Sequence, residues 1–296
     1  MNISQSYPEL SVIIPVFNDA GNLLRCLHAL SLQINGTPSF EVVVVDNASH
    51  PALEIHEEYS FPLKIVYEPT PGSYSARNTG VTASRGKILA FTDADCVPAS
   101  DWLYLGYLKI CAGNHGLILG GEVVFQIEEN PSSVAMYQYL TGFGQQTNVT
   151  EKKFSATANL FCTRIQFNKT GLFEQRLLSG GDREWCWRAL LQGGHMMYAP
   201  DLIVTTRVRS TLRSAFRQAR RVAAGRRTLR ELGLTHIGSS ALNKQRSPIQ
   251  AILWIISNKD ISIFNRLKVL CIAFLIRAVV FWETVRLALG AKPERL

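Results

Sequence analysis

Three motifs are missing from this 296-residue chain, and each absence removes a class of function. The first β-branched run is followed by PVFNDAG rather than GxGxxG, which disfavours a nicotinamide dehydrogenase. GxxxxGK(S/T) is absent, and so is GxSxG, the nucleophile elbow of α/β-hydrolases. Metal-type spacings are also lacking. The six cysteines, at 26, 96, 111, 162, 186 and 271, form no CxxC pair, and the six histidines show neither HxxxH nor HExxH. A structural zinc site or a disulfide framework is therefore not expected, and free thiols point to a reducing cytosol. The opening MNISQSYPEL has no apolar stretch of the secretory kind. The apolar run from Val269 to Trp282 is interrupted by Arg277 and is shorter than the roughly 20 residues of a spanning helix.

Acidic residues are missing from one segment. Between Arg207 and Arg230 there are nine arginines and no aspartate or glutamate, which accounts for more than the whole net charge of +8. The basicity belongs to this segment, and such a segment suits a polyanion such as anionic lipid or phosphate groups. With Val269–Trp282 following, a helix lying on an anionic membrane surface is expected, with packing on protein as the alternative for 269–289. Nucleic acid is not expected as a partner.

Apolar residues make up 47% of the chain, enough for one large α/β domain plus an appendage. Strands are expected at Leu10–Val16, Glu41–Val45, Leu63–Tyr67 and Lys87–Thr92. They alternate with helices at Asp19–Leu32, His50–Tyr59, Ser73–Ser84 and Pro98–Ala112. That alternation means an α/β fold with a mostly parallel, doubly wound sheet. Beyond it, Leu117–Gln126 and Met196–Thr206 read as strands, and Ser155–Thr163 alternates weakly. Ser132–Tyr139, Asp182–Gln192 and the basic Arg213–Arg230 read as helices. The expected boundary divides a catalytic domain, 1–206, from a basic, partly apolar helical region, 207–296.

In open α/β sheets the ligand lies at the carboxyl ends of the strands. Here those ends carry Asn18, Asp46 and the Asp93/Asp95 pair. Residues i and i+2 of an extended chain point the same way, so Asp93 and Asp95 repel each other unless a cation lies beside them. Mg²⁺ and Mn²⁺ favour such oxygen ligands and complete their shell with substrate phosphates. The alternative is a turn whose aspartates cap a helix before Pro98.

The order of four pieces resembles glycosyltransferase family 2 and its GT-A fold: SVIIPVFN at 11–18, EVVVVDNAS at 41–49, SARNTGVTASRGKILAFTDADC at 75–96, and SGGDREWCWRALLQGG at 179–194. The resemblance covers about two-thirds of the chain, from about residue 10 to 207. It implies that Pro15 and Val16 border a nucleotide, that Asp46 accepts a hydrogen bond from its base, and that Arg77 lies near Asp46 and the nucleotide. Asp93 and Asp95 match the DXD motif, with Asp95 the closer to a Mn²⁺ or Mg²⁺ ion. Asp182 matches the base of the ED motif, whose usual glutamate is Gly181 here; Glu184 is the fallback base. Thr206 stands where many relatives carry a histidine after the closing strand. Gln218 to Arg221 is similar to the QxxRW motif of processive synthases, with Val222 in place of the tryptophan. Gln218 and Arg221 are thus candidates for a diphosphate, and Arg213, Arg217, Arg220 and Arg221, at i, i+4, i+7 and i+8, share one helix face that could meet it.

The resemblance thus implies an inverting glycosyltransferase that moves a sugar, from a UDP-sugar in preference to a GDP-sugar, to a hydroxyl of a carbohydrate or lipid-linked acceptor. Single-sugar transfer in polysaccharide or glycolipid assembly is expected, at the cytoplasmic face of a membrane. A sugar-nucleotidyltransferase would show a glycine- and basic-rich loop after the first strand, which VFNDAGN does not match. A non-catalytic binder of nucleotide sugar or anionic lipid would explain the arginines but not the four ordered motifs.

Overall fold

The computed structural model describes residues 7–234, 248–257 and 261–292. The expectation for the first six residues lies outside them. In chain order the elements are β1 Leu10–Val16, α1 Ala20–Ser31, β2 Phe40–Asp46, β3 Leu63–Tyr67, α2 Ser73–Ala83, β4 Ile88–Thr92 and β5 Cys96–Pro98. They continue with α3 Trp102–Ala112, β6 Leu117–Gln126, α4 Ser133–Thr141, α5 Gln145–Thr150, β7 Asn159–Thr163, α6 Arg164–Thr170 and α7 Gly181–Leu191. The last are β8 His195–Arg207, α8 Leu212–Glu231, α9 Pro248–Ser257 and α10 Ile263–Ala288.

One eight-stranded sheet runs in the order β3-β2-β1-β4-β7-β6-β8-β5. Strands β3, β2, β1 and β4 are parallel, with Val16 level with Asp46 and Ile13 level with Phe91. β7 is antiparallel to both β4 and β6, and β5 is antiparallel to β8. The sequence LSVIIPV has no polar-out alternation because β1 is covered on both sides, as a central parallel strand is. Helix α1 buries Leu23, Cys26, Leu27 and Leu30 from one stripe. Helix α2 comes still closer to the sheet. A Cβ at Gly80 would lie 2.6 Å from Ile13 Cγ2 and 2.9 Å from Val45 Cγ2. That approach carries Tyr74 and Arg77, one to two turns earlier on α2, toward the carboxyl ends of the strands.

Two local expectations change, and two short helices appear that were not expected. Residues 50–59 form no helix; their side chains are largely exposed, and the Leu53 amide is held by Asp46 Oδ2 at 3.2 Å. Without an apolar face to bury, a short helix lacks its main source of stability. Pro98 begins no helix. It ends strand β5, where Val97 faces Thr205 and Pro98 faces Val204, and α3 starts at Trp102. At a sheet edge a proline forfeits no inner ladder bond. Helices α5 and α6, of six and seven residues, are too short to show a period in sequence.

The chain divides into two compact units. The first comprises 1–124, 145–176 and 181–206, and holds the sheet but for the last residues of β6 and β8. The second comprises 125–144, 177–180 and 207–296. Within it, Val134 of α4, Ala215 of α8 and Ile272 of α10 form a small core, with Tyr137 and Ile276 against it. Glu283 of α10, 2% exposed, accepts from Arg220 Nε at 3.1 Å and from Arg286 Nη2 at 2.7 Å. Gln138 Nε2 donates to Gln218 Oε1 at 2.9 Å. The apolar C-terminal stretch is part of a single 26-residue helix. Among the described residues no helix is long and apolar enough to cross a membrane.

Candidate active site

Parallel pairing sets the first wall of the site. Val16 and Asp46 end adjacent strands in register, with Pro15 one step back, and the Asn47 amide donates to Val16 O at 2.8 Å. Asp46 is 4% exposed. Its Oδ1 accepts the Ser49 amide at 2.9 Å and its Oδ2 the Leu53 amide. Each oxygen keeps a second lone pair, so Asp46 holds its own loop in place and still has acceptor capacity for a base. Asn47 braces the facing loop: its side chain donates to Glu68 O and Thr70 O and accepts the Gly72 amide. Nothing in the composition marks Asn47 for this part, because its partners lie 21 to 25 residues away.

The second wall is the stretch after β4. Ligand atoms of Asp93, Asp95 and Cys96 lie within 4.8 Å of one another. Burial, then the Asp93 and Asp95 carboxylates, hold the Cys96 thiol well above its usual range. The same two carboxylates, after burial, push up the thiol of Cys26 behind them on α1. A protonated sulfur is a poor donor to a hard cation, so the two carboxylates are the chemically suitable ligands, and they suit Mg²⁺ or Mn²⁺. Thr206 faces Cys96 across the β5–β8 ladder. It places a hydroxyl, not an imidazole, beside the pair.

Arg77 joins this wall from α2. Its guanidinium donates to Asp93 Oδ1 and lies 5.5 Å from the centre of the Tyr74 ring. Its ion-pair partner is thus Asp93 rather than Asp46. The side chain is 4% exposed, yet its Nε–H has no hydrogen-bond partner. A buried unpaired donor is costly, and a phosphate or hydroxyl oxygen of a ligand would satisfy it.

Asp182 opens α7 on the third side. Its Oδ1 accepts the Arg183 amide at 2.8 Å and the Tyr74 hydroxyl at 3.2 Å. The departure Gly181 acquires a reason: a Cβ there would lie 2.7 Å from the Tyr74 ring, which occupies that space. Glu184 is 3% exposed and clasped by Arg188, with Nε to Oε1 at 2.7 Å and Nη2 to Oε2 at 2.9 Å. In that closed pair both oxygens of the fallback candidate Glu184 are engaged by Arg188. Tyr74 was not among the expected site residues, and its link to Asp182 spans 108 residues.

Gln218 and Arg221 lie on α8 in the second unit. Gln218 is engaged with Gln138, and Arg220 with Glu283, while Arg213, Arg217 and Arg221 are exposed.

The profile described as Glycosyl transferase family 2 matches residues 11–170. Glycosyltransferase AglE of Haloferax volcanii is 36% identical over 206 residues, 68% of this chain and 67% of its own. The pre-mycofactocin glycosyltransferase of Mycobacterium tuberculosis is 28% identical over 218 residues, 70% of this chain but only 44% of its own. A solved mannosyltransferase of Pyrobaculum calidifontis, in complex with GDP-Man and Mn²⁺, has the same fold with a TM-score of 0.58 at 19% identity, over 95% of this chain and 87% of that one. The mixed sheet flanked by helices is a GT-A fold, and the chain is a glycosyltransferase that belongs to family 2.

Proposed function

We propose that the enzyme moves a sugar with inversion from a nucleotide-sugar donor, a UDP-sugar in preference to a GDP-sugar, to the hydroxyl of a carbohydrate or lipid-linked acceptor. The observation that carries this reading is the chain of contacts Asp93–Arg77–Tyr74–Asp182 in one compact unit. It sets a donor-side carboxylate pair against a separate, partly exposed carboxylate. Asp46, Val16 and Pro15 receive the nucleoside, and the Asp46 carboxylate accepts a ring N–H of the base, N3–H in uracil or N1–H in guanine. Arg77 donates its unpaired Nε–H to the donor. Asp93 and Asp95 would hold a divalent cation, which supplies positive charge against the diphosphate leaving group. As the acceptor oxygen bonds to the anomeric carbon, the bond from that carbon to the phosphate oxygen breaks. Asp182 takes the hydroxyl proton, and the nucleoside diphosphate departs. One displacement needs one carboxylate on the acceptor side and no protein nucleophile, hence inversion.

A thermal-shift panel of UDP, GDP and their sugars with Mn²⁺ or Mg²⁺ tests the donor half. A ligand at about 100 times its Kd adds roughly 2.7 kcal/mol of stability. The expected result is a metal-dependent shift, larger with UDP, that Asp95→Ala abolishes. A shift that is unchanged in chelator overturns the metal reading.

A second observation supports a membrane-surface role in polysaccharide or glycolipid assembly. Helix α10 exposes Phe264, Leu267, Phe274, Leu275, Phe281 and Trp282. At 3.6 residues per turn and 1.5 Å per residue these lie within about 120° of arc along some 27 Å of helix. Val269, Ile272, Glu283 and Leu287 are buried on the opposite face. Lys268 and Arg277 flank the stripe, and the same unit carries the exposed arginines of α8. An apolar stripe edged by cations suits the interface of an anionic bilayer, and free thiols are in keeping with the cytoplasmic face of that membrane.

A further inference from the structure

Helix α2 supplies a residue that no motif of the chain announces. Tyr74 is 5% exposed. Its ring is held between the Phe173 ring, 5.8 Å away centre to centre, and the guanidinium of Arg77. The third neighbour is the backbone of Gly181, so close that a Cβ there would lie 2.7 to 2.9 Å from three ring carbons. The ring therefore requires glycine at 181. Gly181 is not in the left-handed region, so the backbone at 181 makes no such demand of its own. From this seat the Tyr74 hydroxyl reaches Asp182 Oδ1 at 3.2 Å, beside the Arg183 amide on the same oxygen.

We propose that Tyr74 is the positioning residue of Asp182. Two donors on Oδ1 set the plane of the carboxylate and leave Oδ2 as the oxygen that takes the acceptor's proton. The 3.2 Å separation is long for a hydroxyl donor, and such bonds tighten when substrates assemble a site. Because the same ring carries Arg77, and Arg77 carries Asp93, the base is aligned from the element that also braces the donor-side carboxylates. Gly181 is the space-giving half of the device. The inference rests on Asp182 being the base, as proposed above.

The test uses the full chain and the nucleotide sugar of the panel that releases nucleoside diphosphate fastest. Turnover, donor KM and thermal stability are measured for Tyr74→Phe, Gly181→Ala, Asp182→Asn and the double variant Tyr74→Phe/Asp182→Asn. Phenylalanine keeps the ring and removes only the hydroxyl. A loss of about tenfold in kcat with unchanged donor KM and unchanged melting is expected, the size of one hydrogen bond lost from a transition state. Gly181→Ala, which suits a helix start, should lower kcat similarly by displacing the ring. In the Asp182→Asn background, removing the hydroxyl should cost nothing further, because coupled residues fail to add. If Asp182→Asn collapses turnover while Tyr74→Phe keeps full kcat, the positioning role falls and the base stands. If Tyr74→Phe loses the same factor with or without Asp182, Tyr74 acts through another group and the inference also falls. If Asp182→Asn turns over at the wild-type rate, it is the base assignment that fails.

Discussion

Two carboxylates two residues apart, Asp182 and Glu184, illustrate what the residue scale decides. In sequence both are candidates for a base, Asp182 by its match to the motif and Glu184 as the fallback. In space Asp182 is partly exposed at the start of α7, whereas Glu184 is buried and closed by Arg188. Their substitutions should therefore separate. With Asp182 as the proposed base, Asp182→Asn should lower kcat by about 10²–10⁴ while melting stays within a degree or two, since asparagine keeps the size of the side chain and much of its acceptor role at the helix start. Glu184→Gln should do the reverse. It leaves the Arg188 guanidinium half-buried without its countercharge, and stability should fall by about 3 kcal/mol, at the low end for a broken buried pair because Arg188 also donates to Thr170 O and Leu172 O. Paired measurements of kcat and of unfolding by urea check both. As candidates, Asp93, Asp95 and Asp182 stand out in the sequence because their neighbours along the chain carry the signal. Tyr74 was not, because its meaning lies in a contact 108 residues away.

Elements were legible where burial imposes a period on the sequence. β1, β2 and β4, and the helix α1 after β1, are recognisable because a covered strand is apolar throughout and a covered helix carries one stripe, whereas β3, at the sheet edge and largely exposed, shows through its β-branched and aromatic residues. β5 was not recognisable. Its three residues are a strand only because β8 arrives beside it from over a hundred residues away. Residues 50–59 failed for the opposite reason, since helical composition without an apolar face has nothing to bury. In the second unit, α8 and α10 are tied by Glu283 between Arg220 and Arg286. Hydrogen bonds from Arg286, opposed by burial and aided by Arg220, hold the Glu283 carboxyl below its usual range. A depressed folded value means that the stabilisation is present above the unfolded value, near 4.3, and is lost as pH falls through the folded one. Glu283→Gln should therefore lower stability by about 3 kcal/mol at pH 7. The gap to the wild type should close progressively below about pH 4, as read by chemical unfolding across that window.

At the scale of the whole molecule the chain is a sheet-bearing unit and a helical unit, and the second gathers the arginines and the exposed stripe of α10. The expected alternatives for 269–289 were membrane contact or packing on protein; the helix packs one face on protein and leaves the other exposed. Flotation with vesicles should bring the folded protein up with anionic lipid and much less with neutral lipid. Added salt should weaken the capture, because each cation near such a surface is worth on the order of 1 kcal/mol and is screened within a Debye length. Phe274→Glu with Phe281→Glu, both on the exposed face, should abolish flotation without changing melting. Equal recovery with neutral vesicles, or capture that survives the double substitution, overturns the anionic-surface reading.

The sequence by itself determined the fold class, the family and the polar residues at the strand ends. Each rests on local order along the chain: a period of burial, a run of β-branched residues, a short motif in its place. Only the tertiary structure decided which carboxylate stays available, why residue 181 is glycine, and which arginines of α8 are spent on Glu283. Those are questions of distance between segments remote in sequence. A side chain's chemistry there is set by what the folded backbone brings within about 3 Å of it, and no local pattern records that.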